Sequence, residues 1–572
     1  MSGRLRALVF LPALAGLVLV FGVAGSASGA PDPGARLAGI DHIVVIYEEN
    51  HSFDNLYGGW EGVNGISGPG YAEHASQVGK NGVALPCLLQ LDVNLTTPPL
   101  SKVCGGVDKT AKPFDSHFPN APFEIDASIP ASATSCPPPS MFAANGVPIG
   151  KGLPGGCTRD VVHRFYQEQF QIDGGKQDQY VLGSDAGGLT MGYYDTKHLP
   201  IYEYLHHGGH PHYAIEDDFF QGAFGGSFLN HQFLVAATAP PYNGAVPTGL
   251  RSGVDTRGFP NAGYPFYATS GVADGAVTAT CASLPASVSG LGCGNFAVNT
   301  IQPTYWPYSS PTAAKLPPLT NPTIGDLLSG AGIDWAWYSG GWSNADGDQG
   351  APGWTNGSRP TCSDPNANPA NSSFPRCPDY LFQYHHQPFD YYANFDPSTP
   401  AGRANRTAHL QDEQAFIDAA QASTKHCQLK PVSFVKPLGE ENEHPGYASE
   451  PNGSDHLVSL LKDVENGACA KDTMVVVTYD EFGGQWDHVS PPGQGNDHGA
   501  HDQWGPGTRI PTLVVSPKLR GNFVVDSTEH DTTSILATIE NRFLDGERLG
   551  TTTRDGEVAD LSSVYTAKQV GH

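Results

Sequence analysis

The chain has 572 residues, 39% of them hydrophobic, with 69 glycines and 48 prolines. That is enough for one large α/β domain, or two to three smaller ones, with long ordered loops. Its 57 acidic and 31 basic residues give a formal charge of −26 at pH 7, which argues against nucleic acid as a partner and against electrostatic attachment to anionic membranes; an anionic substrate is still allowed, because a bound cation inverts the local field.

At the N-terminus, Arg4 and Arg6 precede the apolar run ALVFLPALAGLVLVFGVAG, and SASGA ends in Ser28 and Ala30 before Pro31. This pattern predicts a secretory signal, residues 1–30, cleaved after Ala30, followed by a short linker over 31–38. The mature chain is expected to be secreted or periplasmic. No stable membrane anchor is expected, since no later segment is long and apolar enough to span a bilayer.

The stretch IDHIVVIYEENHSFDNLYG, residues 40–58, reads as a buried strand, Ile43–Tyr47, running straight into Glu48, Glu49, Asn50, His51, Ser52 and Asp54. Ends of α/β strands are where such folds place ligands and chemistry; a solvated loop capping the strand is the plainer alternative. Residues 60–160 and 240–320 are rich in Gly, Pro, Ser and Cys and read as loop-rich insertions covering one edge of the sheet, and residues 345–380 are a third such stretch. In FFQGAFGGSFLNHQFLVAA, Gly225 and Gly226 precede Ser227, and Phe228–Ala237 is helical in pattern. A serine in the first turn of a helix, behind glycines, presents its hydroxyl beside free backbone N–H groups, which suits attack on a phosphoryl or acyl centre. Ser227 could equally be a plain N-cap. The motif departs from the Gly-x-Ser-x-Gly elbow, because Leu229 occupies the last glycine position.

Further along, PTIGDLLSGAGIDWAWYSGG predicts a helix over Thr323–Ser329 and a strand over Asp334–Tyr338. MVVVTYDEFGGQWDHVSPPG predicts a strand over Met474–Tyr479 ending in Asp480 and Glu481, with Asp487 and His488 after Gly483-Gly484. Thr512–Val515 reads as a third parallel strand, and HDTTSILATIENRFL as a helix capped near Asp531. The alternation predicts one α/β domain over 39–572, with a mostly parallel central sheet and helices on both faces. If the strands ending in Glu49-Asn50 and Asp480-Glu481 are neighbours, four oxygen donors meet at one edge, and a cation would relieve their repulsion. A structural calcium loop is the competing reading.

Ten cysteines in an exported chain, none of them in a C-x-x-C pair, predict disulfides rather than thiolate metal sites. Short loops close at low entropic cost, so sequence neighbours are expected to pair: Cys87–Cys104, Cys136–Cys157, Cys281–Cys293 and Cys362–Cys377, leaving Cys427–Cys469 by elimination. Of the histidines, His117, His385, His386, His444, His498, His501 and His530 are each more readily structural than catalytic. Flanked by turn residues, as a set they look like a binding edge.

The segments EENHSFDNLYG, GGSFLNHQ, HHQPF, NEHPGYA and YDEFGGQWDHV resemble the bacterial phosphoesterase family, from about residue 39 to about 545. That family joins phosphatidylcholine-type phospholipases C with secreted acid phosphatases and is related in fold to alkaline phosphatase. The double histidine in FQYHHQPF is closer to the acid phosphatase branch. The resemblance implies Glu49, Asn50, Asp480 and Glu481 as metal ligands, Ser227 as a nucleophile that also touches the metal, and His385 and His386 facing the phosphate. His117, His444 and His488 are carried as substrate-binding candidates. The segments that carry the resemblance show no Asp-x-x-x-His pair of the two-metal zinc phosphatases, so one divalent cation held by oxygens is expected, Mg, Ca or Mn rather than Zn. The expected activity is hydrolysis of small phosphate monoesters through a phosphoserine, with a protonated histidine favouring activity below neutral pH. One alternative is a phospholipase C cleaving the phosphodiester of a phospholipid head group, for which Trp335, Trp337, Tyr338 and Trp342 could supply a head-group or lipid face, or simply core. A second is a secreted binding protein that has kept the fold and lost activity.

Overall fold

The computed structural model describes residues 33–79, 81–89, 104–107, 113–115, 117–126, 161–184, 187–207, 212–242, 281, 292–298, 300, 317–346, 382–439, 441–445, 450–495 and 498–570. Its frame is a nine-stranded sheet. In chain order the strands are β1 (His42–Glu48), β2 (Tyr213–Glu216), β3 (Trp335–Ser339), β4 (Leu410–Asp412), β5 (Val432–Lys436), β6 (Thr473–Tyr479), β7 (Thr512–Val515), β8 (Phe523–Asp526) and β9 (Lys568–Gln569). Across the sheet the order is β4-β3-β5-β1-β6-β7-β2-β8-β9. β1 lies between β5 and β6, parallel to both, and β3 and β4 continue the parallel run. Ile43, Val44, Val45, Ile46 and Tyr47 are all fully buried. Such continuously apolar strands belong in a parallel sheet covered on both faces.

Two strands run the other way. β7 is antiparallel to β6 and to β2, and β9 is antiparallel to β8. The expectation of a parallel Thr512–Val515 is therefore corrected. A parallel return needs a crossover, usually a helix, and among the described residues of 480–511 there is no helix. Hydrophobic runs record burial, which β7 has in full, but not direction.

The helices used below are α1 (Ser227–Ala236), α2 (Ile324–Gly330), α3 (Glu413–Ala422), α4 (Glu450–Glu465) and α5 (Thr532–Phe543). α1 packs with α2 and α5, and α3 packs with α4, while α2 and α3 both reach β3. Asp531 caps α5 as expected, accepting from the Thr533 N–H, whereas Thr323, expected as the first helical residue, is the N-cap of α2 and accepts from the Asp326 N–H. Trp335, Trp337, Tyr338 and Trp342 are all buried core residues, so none of them forms a lipid-meeting face. Disulfides Cys87–Cys104, Cys281–Cys293 and Cys427–Cys469 form as expected. The other two expected pairs, the signal segment, the linker up to residue 32 and most of the three insertions lie outside the described residues. Among the described residues no helix is long and apolar enough to cross a membrane.

One buried ion pair ties α3 to α4. His456 Nε2 lies 2.8 Å from Glu413 Oε1 and 3.8 Å from Glu441 Oε2. Burial opposes its charge, but Glu413, then Glu441 and Glu48, outweigh burial and raise the imidazole to about 10. A folded value above the unfolded one of about 6.5 gives stability that is fully present below pH 6.5 and lost as pH rises through 10. Urea unfolding at pH 6, 8 and 10 is expected to show stability falling by on the order of a few kcal/mol, with the fall much reduced in His456→Gln. Equal slopes for the two proteins would remove this assignment.

Candidate active site

The two acidic strand ends meet because β1 and β6 are parallel neighbours in register, Glu48 opposite Tyr479. Each chain then continues past the sheet edge, Glu49 and Asn50 on one side and Asp480 and Glu481 on the other. All four are buried. The Asn50 N–H donates to Asp480 Oδ1 at 3.1 Å, and the Glu481 N–H to the same oxygen at 2.8 Å. Asn50 takes a left-handed backbone, φ 62°, a conformation asparagine tolerates better than most residues. Gly483 packs against it, also left-handed, and a Cβ there would sit 2.2 Å from the Asn50 carbonyl oxygen. Gly483→Ala therefore has neither space nor a relaxed backbone. It is expected to cost about 1–3 kcal/mol, read as a lowered melting temperature; an unchanged melt would show that the turn is not constrained.

Ser227 opens α1. The cap is Gly226, so Ser227 is the first helical residue rather than the N-cap. The glycine turn before it is held from several sides. The Gly225 N–H donates to Glu168, the Asn230 amide donates to the carbonyls of Gly225 and Gly226, and the Ala223 N–H donates to Asn230 Oδ1. Gly225 is at φ +87°, and a Cβ on it would meet the Phe165 backbone N at 2.5 Å. The Ser227 hydroxyl lies beside the Asp480 carboxylate. One expectation needs correction: the Phe228 N–H donates to the Thr300 carbonyl at 2.8 Å, so it is not free for a substrate.

Basic side chains enclose the acids. Lys436, at the end of β5, places Nζ 2.6 Å from Glu49 Oε1 and donates to the Tyr47 carbonyl at 2.9 Å. His386 Nε2 is 2.8 Å from the same carboxylate oxygen, and His444 Nε2 is 3.9 Å from Glu49 Oε2. Asn50 Nδ2 lies 3.0 Å from His444 Nε2 and 3.4 Å from His163 Nε2, and His163 Nε2 lies 3.2 Å from Glu481 Oε1. His231, one turn after Ser227 on α1, has Nδ1 2.8 Å from the Ser227 carbonyl and 3.9 Å from Asp480 Oδ2. Its ring stacks on His386 at 5.4 Å and meets His385 edge-on at 5.5 Å.

Burial opposes the charge on Glu49, but Lys436, then His386 and His444, hold its carboxyl well below the ordinary range. Asp480 and Glu481 go the other way. Burial raises both, and the neighbouring carboxylates add to it, Glu49 acting on Asp480 and Asp480 on Glu481. Burial also lowers His386 to about 4 and lowers His385 and His231. The protonated histidine expected from the sequence is therefore not favoured here, and these rings are neutral near pH 7.

The structure thus gathers Glu49, Asn50, Ser227, His385, His386, His444, Asp480 and Glu481. His488 goes elsewhere. Its Nδ1 is 2.6 Å from Asp54 Oδ2, in a network where Arg509 Nε holds Asp487 Oδ1 at 2.9 Å. His530 joins Glu216 and Asp526, and His498 and His501 are exposed, so the seven turn histidines do not form one edge. The backbone of His117 pairs with Leu89 in a two-stranded ribbon, and its side chain lies outside the described residues. Sequence reasoning missed Lys436, His163 and His231. A lysine ending the apolar run VSFVK and a histidine four residues after Ser227 were usable signals; nothing local distinguishes His163.

The buried acidic and histidine groups are consistent with a divalent cation. Among the described residues, Asn50 Oδ1, Asp480 Oδ2, Glu481 Oε1 and both Glu49 oxygens are buried without an aligned hydrogen bond, although Lys436 and His386 approach Glu49 and His163 approaches Glu481. Ligand atoms of Glu49, His385 and His386 also lie within 4.8 Å of one another. Buried carboxylates with idle lone pairs are a cation's usual setting.

The sequence pattern of the Phosphoesterase family matches residues 40–544. Among curated proteins, a non-hemolytic phospholipase C of Burkholderia pseudomallei is 32% identical over 178 residues, which is 27% of this chain and 25% of that protein. Phospholipase C A of Mycobacterium tuberculosis is 31% identical over 164 residues, 25% of this chain and 31% of that protein. The chain thus matches under a third of the length of these relatives. A solved structure of a protein in the alkaline phosphatase superfamily from Vibrio parahaemolyticus is 12% identical, covering 40% of this chain and 48% of that one, with a TM-score of 0.20.

Proposed function

The chain belongs to the phosphoesterase family, a hydrolase acting on phosphate esters, and we propose that it is an exported, metal-dependent phosphatase that cleaves small phosphate monoesters through a phosphoserine on Ser227. The observation carrying this reading is the Ser227 hydroxyl at the start of α1, beside a buried Asp480 whose second oxygen has no hydrogen-bond partner among the described residues. Glu49, Asn50, Asp480, Glu481 and Ser227 would hold one divalent cation, Mg, Ca or Mn rather than Zn. Such a cation lowers the pKa of a bound hydroxyl and neutralises phosphoryl oxygens.

The chain's own residues do the rest. Gly225 and Gly226 let the turn before Ser227 pack closely on Phe165 and Thr300, which fixes the start of α1. Asp480 is the acceptor facing the Ser227 proton. The Ser227 Oγ–P bond forms as the ester P–O bond breaks, and water then cleaves Oγ–P and releases phosphate. Neutral His385 donates an N–H bond to a phosphoryl oxygen, and His386 holds Glu49 through Nε2. Lys436 keeps Glu49 ionised and oriented. Lys436 together with a bound cation would place positive charge at one group, which suits a doubly charged monoester better than a singly charged diester.

A second reading, phospholipase C activity, is favoured by the names of the curated relatives. Turnover of p-nitrophenyl phosphate against p-nitrophenyl phosphocholine, from pH 4 to 9 with added Mg, Ca, Mn or Zn, separates the two. Preference for the phosphocholine ester would overturn the monoester reading. Export rests on the three disulfides and the signal-like N-terminus, and a mature protein beginning at Pro31 is the expected result of N-terminal sequencing.

A further inference from the structure

A second buried acidic cluster stands at the ends of β2 and β8. Glu216 and Asp526 are register partners on these parallel strands, so two carboxylates of like charge face each other, an arrangement that by itself destabilises a sheet. Glu216 is fully buried, and Asp526 and His530 are 3% and 1% exposed. Asp526 Oδ1 accepts from the Thr528 N–H and hydroxyl at 3.0 and 2.7 Å. Asp526 Oδ2 and both oxygens of Glu216 have no hydrogen-bond partner among the described residues. Ligand atoms of Glu216, Asp526 and His530 lie within 4.8 Å of one another, so the idle oxygens point into one small space.

His530 is presented in the form a cation needs. Its Nδ1 lies 3.3 Å from both the Ala559 carbonyl and the Ser534 hydroxyl, and donation to the carbonyl puts the proton on Nδ1. That leaves the Nε2 lone pair 3.9 Å from Glu216 Oε2 and 2.9 Å from the Ser563 hydroxyl. Two ligand atoms about 2.2 Å from a shared ion stand roughly 3–4 Å apart, and a histidine ligand usually has its other nitrogen held by a carbonyl or carboxylate. A cavity of about 180 Å³ lined by Glu529, His530, Asp531 and Glu557 adjoins His530.

We propose that Glu216, Asp526 and His530 form a second divalent-cation site, distinct in its residues from the Ser227 group, that clamps β2, β8 and the start of α5 together. Two carboxylates with one imidazole suit Mn²⁺ or Zn²⁺. None of its ligands touches the proposed nucleophile or its carboxylates, so the role is structural.

The test is metal stoichiometry. Chelator-stripped wild-type protein titrated with Mn²⁺ is expected to take up two equivalents, and Glu216→Gln/Asp526→Asn and Asp480→Asn one each. Wild type taking up one equivalent, with Glu216→Gln/Asp526→Asn taking up none, would keep this site and remove the cation from the Ser227 group. An unchanged content in Glu216→Gln/Asp526→Asn would overturn the proposal, and the two carboxyls would then share a proton instead. The single variant Glu216→Gln keeps the volume and removes the repulsion, so it serves if the double variant fails to fold. Its melting temperature is expected to exceed that of metal-free wild type, and its metal-dependent rise to be smaller than that of wild type.

Discussion

Ser227→Ala is expected to abolish phosphate release, with kcat falling by about 10³–10⁶-fold, the range for loss of a nucleophile. The alternative roles of Ser227 predict much less. As an N-cap it would cost about 0.5–2 kcal/mol of stability on replacement, but Gly226 is the cap, so even that term falls away. What remains is one hydroxyl beside Asp480, about 1 kcal/mol, too little to unfold the chain. The variant should melt close to wild type and still bind metal through the other ligands. Acid quench of wild type during turnover, followed by mass spectrometry, is expected to find the phosphoryl group on the peptide containing Ser227. A variant with near-normal turnover, or a phosphoryl group trapped on another residue, would require the site to be rebuilt around that residue.

Asp480→Asn is expected to lower metal content and activity together, the latter by about 10²–10⁴-fold, since a charge that holds the cation acts on every later step. It is a cleaner probe than Glu49→Gln. Asn at 480 can still accept from the Asn50 and Glu481 N–H groups through Oδ1, and it removes a charge that burial already disfavours. Glu49→Gln would instead leave Lys436 buried without its counter-charge, at about 3–5 kcal/mol, so lost activity there could reflect lost structure. Metal analysis beside kcat and KM is the measurement. Normal metal content in Asp480→Asn with activity lost would take Asp480 out of the ligand set and leave it only as the partner of Ser227.

By itself the sequence determined where polar chemistry interrupts apolar runs. The strand ending in Glu49-Asn50, the strand ending in Asp480-Glu481, the serine behind Gly225-Gly226, the Asp531 cap and the neighbour-paired cysteines are all local patterns, set by burial, backbone freedom and short loop closure. Tertiary structure decided which of these patterns meet, and with what. Lys436 reaches the Tyr47 carbonyl across 389 residues, and His163 and His231 close around carboxylates from other strands. No periodicity encodes those encounters, because a charged side chain on a strand or helix end reads the same whether its partner is water or a buried ion. The same limit explains β7, whose full burial was legible and whose direction was not, and His488 and His530, which flank acidic residues as the site histidines do but are drawn to Asp54 and Glu216. Even the Phe228 N–H, free in any isolated helix start, was claimed by a carbonyl from a distant loop, because a buried donor must find an acceptor wherever the fold brings one.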